Sequence, residues 1–444
     1  MENIPKETET IAARRSARLA EKFKNAGVNF GNRRAWWSNG PLETLILVFA
    51  FAVNFYLVYP FFGTAALSTQ YSGPIIPLLA SIINLSGIST AYAIQIVYIA
   101  FILIFPLSYY VFIKKISGRK LVALFALMIV SLPIVPFLKT RIEMALTGIE
   151  GPHVASLTLM PLAIYGLLAF LHSGGIKNMI IATISAALVG LTSPFGFVTY
   201  SIFASITTFS EVLLGTGRLK STRFIAVIIL VVGLSSFWYN PAFFVWLVTG
   251  PLGEQVANTI SNLIPISIFS LPVLGIFGYL LFDRKPNLQP LFLAFFFTIA
   301  FTMIIFAGTG FVFSHPSRYL TELGISLALL VSIAIVGISD KVKFMKARGG
   351  LIKGEVLGNI IIVSSFLLLF LCNVIGRESL LEQNVLGVWD EIDKGEIWVA
   401  KESFGIGWTY LGYSITCASL IGITFMGLKA DVGGRKKSNE AAKV

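Results

Sequence analysis

Residues 90–113 read TAYAIQIVYIAFILIFPLSYYVFI, a stretch with no charged side chain. About 20 apolar residues wound at 1.5 Å each cross a ~30 Å hydrocarbon layer, so this segment is long enough to span a bilayer. Its apolar residues are continuous instead of alternating, which predicts a helix and excludes a barrel strand. In lipid a helix also satisfies its own backbone hydrogen bonds. Working outward, comparable runs recur at about 41–62, 120–138, 154–171, 177–193, 195–214, 223–247, 264–282, 288–312, 318–338, 355–375 and 405–428. The expected fold is therefore an all-α, polytopic integral membrane bundle of about twelve transmembrane helices. Composition agrees: of 444 residues 56% are apolar and only 13% charged, about half the charge that a soluble surface carries. A soluble enzyme is excluded. Cys372 and Cys417 both fall within apolar runs and suggest neither a disulfide framework nor a metal site.

Basic residues set the orientation. With the N-terminus placed in the cytoplasm, the 34 lysines and arginines divide 28 inside to 6 outside, in line with the positive-inside rule. Both termini are then cytoplasmic, and the net charge of +12 is a topology signal, not the mark of a nucleic-acid partner. Residues 1–40 form a basic tail in which Ile11, Leu19 and Phe23 among Arg14, Arg15, Arg18, Lys22 and Lys24 predict an amphipathic helix on anionic lipid headgroups, with Trp36 and Trp37 at the interface. This tail has no apolar run, so the first span is expected to act as the targeting element. Residues 41–338 make a transmembrane core, 339–428 a C-terminal pair of spans, and 429–444 a second basic tail.

Two outer segments are long enough to act. The first contains an apolar stretch from Pro74 to Leu85, too short to cross, which predicts an interfacial helix. Asn84-Leu85-Ser86 fits the glycan-acceptor pattern there. The second, residues 376–404, carries seven acidic residues and reads as a small cap over the outer mouth.

Ionisable side chains cost ~2.5 to 3.5 kcal/mol at mid-bilayer, so those near spans are functional candidates. They cluster at outer ends. Between the third and fourth spans stand Lys139, Arg141, Glu143, Glu150 and His153; at the start of the tenth stand His315, Arg318 and Glu322. Outer cations run against the positive-inside bias and suit an anionic ligand such as a lipid phosphate. The structural alternative pairs Arg141 with Glu143 and Arg318 with Glu322, the latter one helical turn apart. Asn54, Gln95, Asn240 and Asn373 read as interhelical hydrogen-bonding residues, and His172 as a helix-end residue without a role. No zinc spacing, phosphate-cradling glycine loop or nucleophile elbow is present.

The order of a first span, an outer loop with an interfacial helix, the inner turn Gly118-Arg119-Lys120 before Leu121 to Leu127 and Pro133, then Gly151-Pro152-His153 and Leu159-Met160-Pro161, resembles the membrane glycosyltransferases of the GT-C superfamily. Gly190-Leu191-Thr192-Ser193-Pro194 and Pro316-Ser317-Arg318-Tyr319 add to the resemblance, which covers roughly residues 41–340. It implies a GT-C-like core that takes a sugar from a polyprenyl-phosphate carrier at the extracytoplasmic face of the cell envelope. Glu143, Glu150 and His153 would then be catalytic, and Lys139, Arg141, His315, Arg318 and Glu322 would bind substrate. A divalent metal is left open, and no other cofactor is implied. In that superfamily an acidic residue of the first outer loop usually serves as base or metal ligand. Here no Asp or Glu lies between Glu43 and Glu143, which leaves Glu143 or Glu150 to substitute. Two further readings stand beside this one. Twelve spans with both ends inside also suit a transporter or flippase of the major facilitator type, for which Asp283-Arg284-Lys285 is a partial echo, although binding groups at mid-membrane are lacking. The third reading is a non-catalytic subunit that keeps the fold and works in complex with other membrane proteins.

Overall fold

The structure, a computed structural model, describes residues 41–66, 73–148, 150–214, 217–249, 288–307, 316–346 and 405–441, with positions 276 and 364 besides. The tail 1–40, the runs at 264–282 and 355–375, the acidic segment 376–404, Cys372, Asn373 and His315 lie outside the described residues.

Among those residues all regular structure is helical. The chain forms α1 (Pro41–Val58) with a 3-10 turn (Tyr59–Gly63), α2 (Ile75–Asn84), α3 (Thr90–Ser117), α4 (Lys120–Val130) and α5 (Leu138–Ile142), which passes into a π-helical turn (Glu143–Thr147). It continues with α6 (Gly151–Ser173), α7 (Ile176–Thr192), α8 (Pro194–Leu214), α9 (Gly217–Ser235), α10 (Pro241–Thr249) and α11 (Gln289–Ala307). A 3-10 turn (Pro316–Tyr319) then opens α12 (Leu320–Lys346), and α13 spans Ile406–Ala441, past the expected end at 428. Six segments among the described residues, Glu43–Gly63, Thr90–Ser117, Gly151–Ser173, Pro194–Leu214, Leu320–Ser339 and Ile406–Met426, are long and apolar enough to cross a bilayer. The protein is a polytopic α-helical membrane protein.

Two expected spans are interrupted. The third, read as 120–138, stops at Val130, and its 11 residues cover about 16 Å, half of a hydrocarbon core. Pro133 and Pro136 explain the break: neither has an N–H to donate, and each disfavours helical backbone in the residue before it. The helix closes on short bonds from the Ser131 and Leu132 amides to the Met128 and Ile129 carbonyls (3.1 and 3.0 Å). Ser131 to Pro133 are buried in protein, where non-helical backbone at membrane depth is tolerated. The run at 223–247 is broken between Ser235 and Pro241; Asn240 Oδ1 caps the new helix by accepting from the Phe243 amide (2.9 Å), and Pro241 takes the first helical position.

α6 is the most enclosed of the candidate spans and packs on α3, α7 and α8, while α4 and α11 pack on α12. The N-termini of α3, α6, α8 and α12 share one end of the bundle, called here the upper end. α2 sits there as an amphipathic helix, with Ile76 and Ala80 buried and Leu78 and Ile82 exposed. Its entry is pinned by the Gly73 amide, which donates to the Thr192 carbonyl (3.0 Å). A Cβ at Gly73 would lie 1.9 Å from the Leu191 carbonyl oxygen, so only glycine permits this approach.

Charged side chains among the described residues gather toward both ends. At the lower end Glu43 accepts from the Tyr110 hydroxyl and holds Lys114 (2.6 Å) and Lys120 (2.9 Å). Glu211, 2% exposed, is held there by Lys220 (2.5 Å) and Gln289 Nε2 (2.8 Å), with His172 Nδ1 at 3.8 Å. His172, expected to be idle, therefore joins a four-helix polar junction.

Candidate functional site

The upper end gathers side chains from four stretches of chain. α5 and the π-helical turn place Lys139, Arg141 and Glu143 beside the start of α6, which carries Glu150 and His153. The opening turns of α8 bring Phe195 and Thr199, and the 3-10 turn before α12 brings Arg318 and Tyr319, with Glu322 on α12 itself. Glu150, His153, Arg318 and Glu322 are each at most 1% exposed.

Two linked pairs form the centre. Arg318 Nη2 donates to Glu150 Oε1, and the Arg318 guanidinium lies 3.5 Å from the centre of the Phe195 ring. His153 Nε2 lies 2.9 Å from Glu322 Oε1, and the same oxygen accepts from the Thr199 hydroxyl (2.8 Å). The His153 ring meets Phe195 and Tyr319 edge to face, with centroids 6.1 and 6.5 Å away. Burial pushes the Tyr319 phenol well above its usual range, so it stays neutral. Glu150 Oε2, Glu322 Oε2 and both ring nitrogens of His153 make no hydrogen bond among the described residues, the 2.9 Å approach of Nε2 to Glu322 lacking hydrogen-bond alignment.

Arg141, 2% exposed, reaches from α5 deeper into the bundle than this centre. Its Nη2 donates to the Val130 carbonyl, its guanidinium is 4.1 Å from the centre of the Phe105 ring, and Nη1 has no partner. No carboxylate among the described residues pairs with it. Burial pushes the Arg141 guanidinium down to about 9, so it remains a cation at neutral pH. The Tyr109 hydroxyl, donating to the Ile325 carbonyl, ties this part of α3 to α12, and the Thr321 hydroxyl, 3.1 Å from Met144 Sδ, ties the π-helical turn to the same helix. Lys139 and Glu143 pair at 3.9 Å, both nearly buried. A metal-binding group of three or more His, Cys, Asp or Glu does not occur among the described residues.

The expected structural pairing is thus replaced. Arg318 does not pair with Glu322, nor Arg141 with Glu143. Arg318 sits in a 3-10 turn, whose tighter winding sets it off the face that carries Glu322. Arg141 and Glu143 are two residues apart, a spacing that points side chains to opposite sides of a helix. Four of the eight expected residues, Glu150, His153, Arg318 and Glu322, meet directly; Lys139, Arg141 and Glu143 border them, and His315 lies outside the described residues. Phe195 and Thr199 were not anticipated, because inside a span an aromatic ring and a hydroxyl look like packing and backbone bonding. Their one visible signal was their place just after the Ser193-Pro194 turn.

No protein-family model matches the chain, and neither does any curated protein. Among solved structures it is similar to the archaeal oligosaccharyltransferase AglB from Archaeoglobus fulgidus in complex with an inhibitory peptide and a dolichol-phosphate, at TM-score 0.45 and 14% identity over 78% of this chain and 56% of that one. It is also similar to ArnT from Cupriavidus metallidurans in the apo state, at TM-score 0.35 and 13% identity over 85% of this chain and 76% of that one. The chain spans little more than half the length of the oligosaccharyltransferase, and identity at this level assigns no residue a role.

Proposed function

We propose that the protein is a GT-C-like membrane protein that binds a polyprenyl-phosphate-linked sugar at the extracytoplasmic, upper end of its bundle and acts on it as a glycosyltransferase. One observation carries this reading: two charged segments about 170 residues apart meet in a single buried cluster, and Arg141, on the short helix before it, is a buried guanidinium with no carboxylate partner among the described residues. A buried cation without a carboxylate suits a phosphate, since charge-assisted bonds gain strength away from water. Arg141, with Nη1 unengaged, is the residue assigned to the carrier phosphate; Lys139 lies two residues before it. Arg318 is neutralised by Glu150 and keeps the N-terminal turns of α6 and α12 together. Apolar faces of α2, α1 and the 3-10 turn after α1, where Leu78, Ile82, Phe55 and Tyr59 are exposed, suit the polyprenyl chain. With the upper end outside, the basic lower end faces the cytoplasm.

The test is binding of a polyprenyl phosphate and of the matching polyprenol to the full chain in nanodiscs. The phosphate is expected to bind at least tenfold more tightly, and Arg141→Gln to remove most of that difference, by ~1.5 to 3 kcal/mol for a hydrogen bond to a charged group. Equal affinity for the two lipids would overturn the reading.

A further inference from the structure

We infer that Asn84 is a modification site: its side-chain nitrogen carries a glycan transferred from a lipid-phosphate-linked donor on the outer side of the membrane. This goes beyond the carrier site and shares with that reading only the orientation of the bundle. Asn84-Leu85-Ser86 is the one Asn-x-Ser/Thr triplet in the 444 residues, the pattern in which a hydroxyl two residues on accompanies the acceptor amide. It falls on the turn between α2 and α3 at the upper end, where Asn84, Leu85, Ser86 and Gly87 are all exposed. The Asn84 side chain makes no hydrogen bond among the described residues. The turn also has room around it, since nothing lies within 4 Å of a Cβ added at Gly87.

Two features carry the residue clear of lipid. At about 100° per residue, Asn84 stands roughly 100 to 160° around α2 from Leu78, Ile82 and Leu85, the exposed apolar line, and shares its edge with Pro77 and Ser81. α3 has 28 residues, enough for about 42 Å against a ~30 Å hydrocarbon core. Counting about 20 residues up from Lys114 reaches Ile94, so the start of α3 and the turn before it stand among headgroups and water. Presenting the triplet requires only that the last turn of α2 loosen. Its closing bonds run from the Leu85 amide to the Ser81 carbonyl (3.3 Å), and from the Ser86 amide (3.0 Å) and hydroxyl (2.6 Å) to the Ile83 carbonyl. All lie at an exposed helix end, where local opening costs least. In the transfer, made by a separate oligosaccharide transferase of the same membrane, the Asn84 amide nitrogen bonds to the anomeric carbon of the donor glycan. The bond from that carbon to the phosphate oxygen breaks, the lipid phosphate departs with the electron pair, and the nitrogen gives one proton to a base of that transferase. The bulky, solvated glycan then keeps the C-terminal end of α2 out of the lipid.

The test is peptide mapping by mass spectrometry of the full chain, produced in cells that attach Asn-linked glycans to a control membrane protein bearing an exposed outer Asn-x-Ser triplet. The Asn84 peptide is expected to carry sugar mass in most molecules. Asn84→Gln and Ser86→Ala are expected to abolish it, and Ser86→Thr, which keeps the hydroxyl, to retain it. Both positions are exposed, so these variants keep the fold. An unmodified Asn84, in a chain whose Ser86→Cys variant reacts with an impermeant maleimide from outside the cell, overturns this inference and leaves the orientation and the carrier site standing. An unmodified Asn84 in a chain labelled there only from the cytoplasm overturns the inference and the orientation together. Equal modification of the Ser86→Ala variant and the wild type overturns the assignment to this triplet.

Discussion

Arg318 and Glu150 are buried charges whose attraction is offset by the water each has lost, so the pair as a whole contributes little, whereas either partner alone is expensive. Glu150→Ala should therefore lower stability by ~3 to 5 kcal/mol, and Glu150→Leu with Arg318→Met should recover most of that loss. Thermal unfolding in detergent, followed by intrinsic fluorescence, measures both, and equal losses in the single and double variants would exclude the ion pair as the cause. The identities of these residues were legible from sequence because charge is costly in lipid. Their partners were not. Helical spacing favoured Arg318 with Glu322, but the turn holding Arg318 is wound more tightly than an α-helix, and the true partner lies 168 residues away. Likewise Thr199 carried no charge to mark it, although its hydroxyl is one of two groups that hold the Glu322 carboxylate.

At the scale of elements, the interruption after α4 determines how α12 is seated. Gly324 packs so closely on this segment that an added Cβ would lie 2.2 Å from the Pro136 carbonyl oxygen, whereas at Gly337, on the same helix, nothing lies within 4 Å. Gly324→Ala should cost ~1 to 3 kcal/mol through overpacking and displace the neighbouring Glu322. Gly337→Ala should be neutral or slightly stabilising, since alanine is the better helix former. Melting temperatures of the two variants decide this, and a harmless Gly324→Ala would show that the seat is not tight. A short helix was foreseen at Pro74 to Leu85 and is found at Ile75–Asn84, because a short apolar run between polar ends has few alternatives. The early end of α4 was harder to foresee, since apolar composition continues through Pro133 and Pro136 and hydropathy does not register a missing N–H.

For the molecule as a whole, apolar length and charge placement were the legible part, and they foresaw ionisable groups toward the ends of helices with centres nearly free of them; Arg141, reaching the Val130 carbonyl and the Phe105 ring, is set deeper than that. With Cys372 and Cys417 replaced, Ser86→Cys should react with an impermeant maleimide only from outside the cell, and Arg119→Cys only from the cytoplasm. Both positions are exposed, at opposite ends of α3. The reverse pattern would invert the proposed orientation, and labelling of both from one side would abolish it. Less legible was the way carboxylates at the lower end are consumed internally, Glu43 by Lys114 and Lys120 and Glu211 by Lys220.

That last pair bears on biogenesis. Lys220 reaches back only nine residues to Glu211, so both charges leave the ribosome nearly together, and α8 and α9 can enter the translocon as a hairpin whose charges already cancel. Glu150 has no such companion until Arg318 is translated much later. It must wait at the hydrated rim while the helices α6 to α11 are laid down, so the foundations of the bundle set first and the upper end closes last.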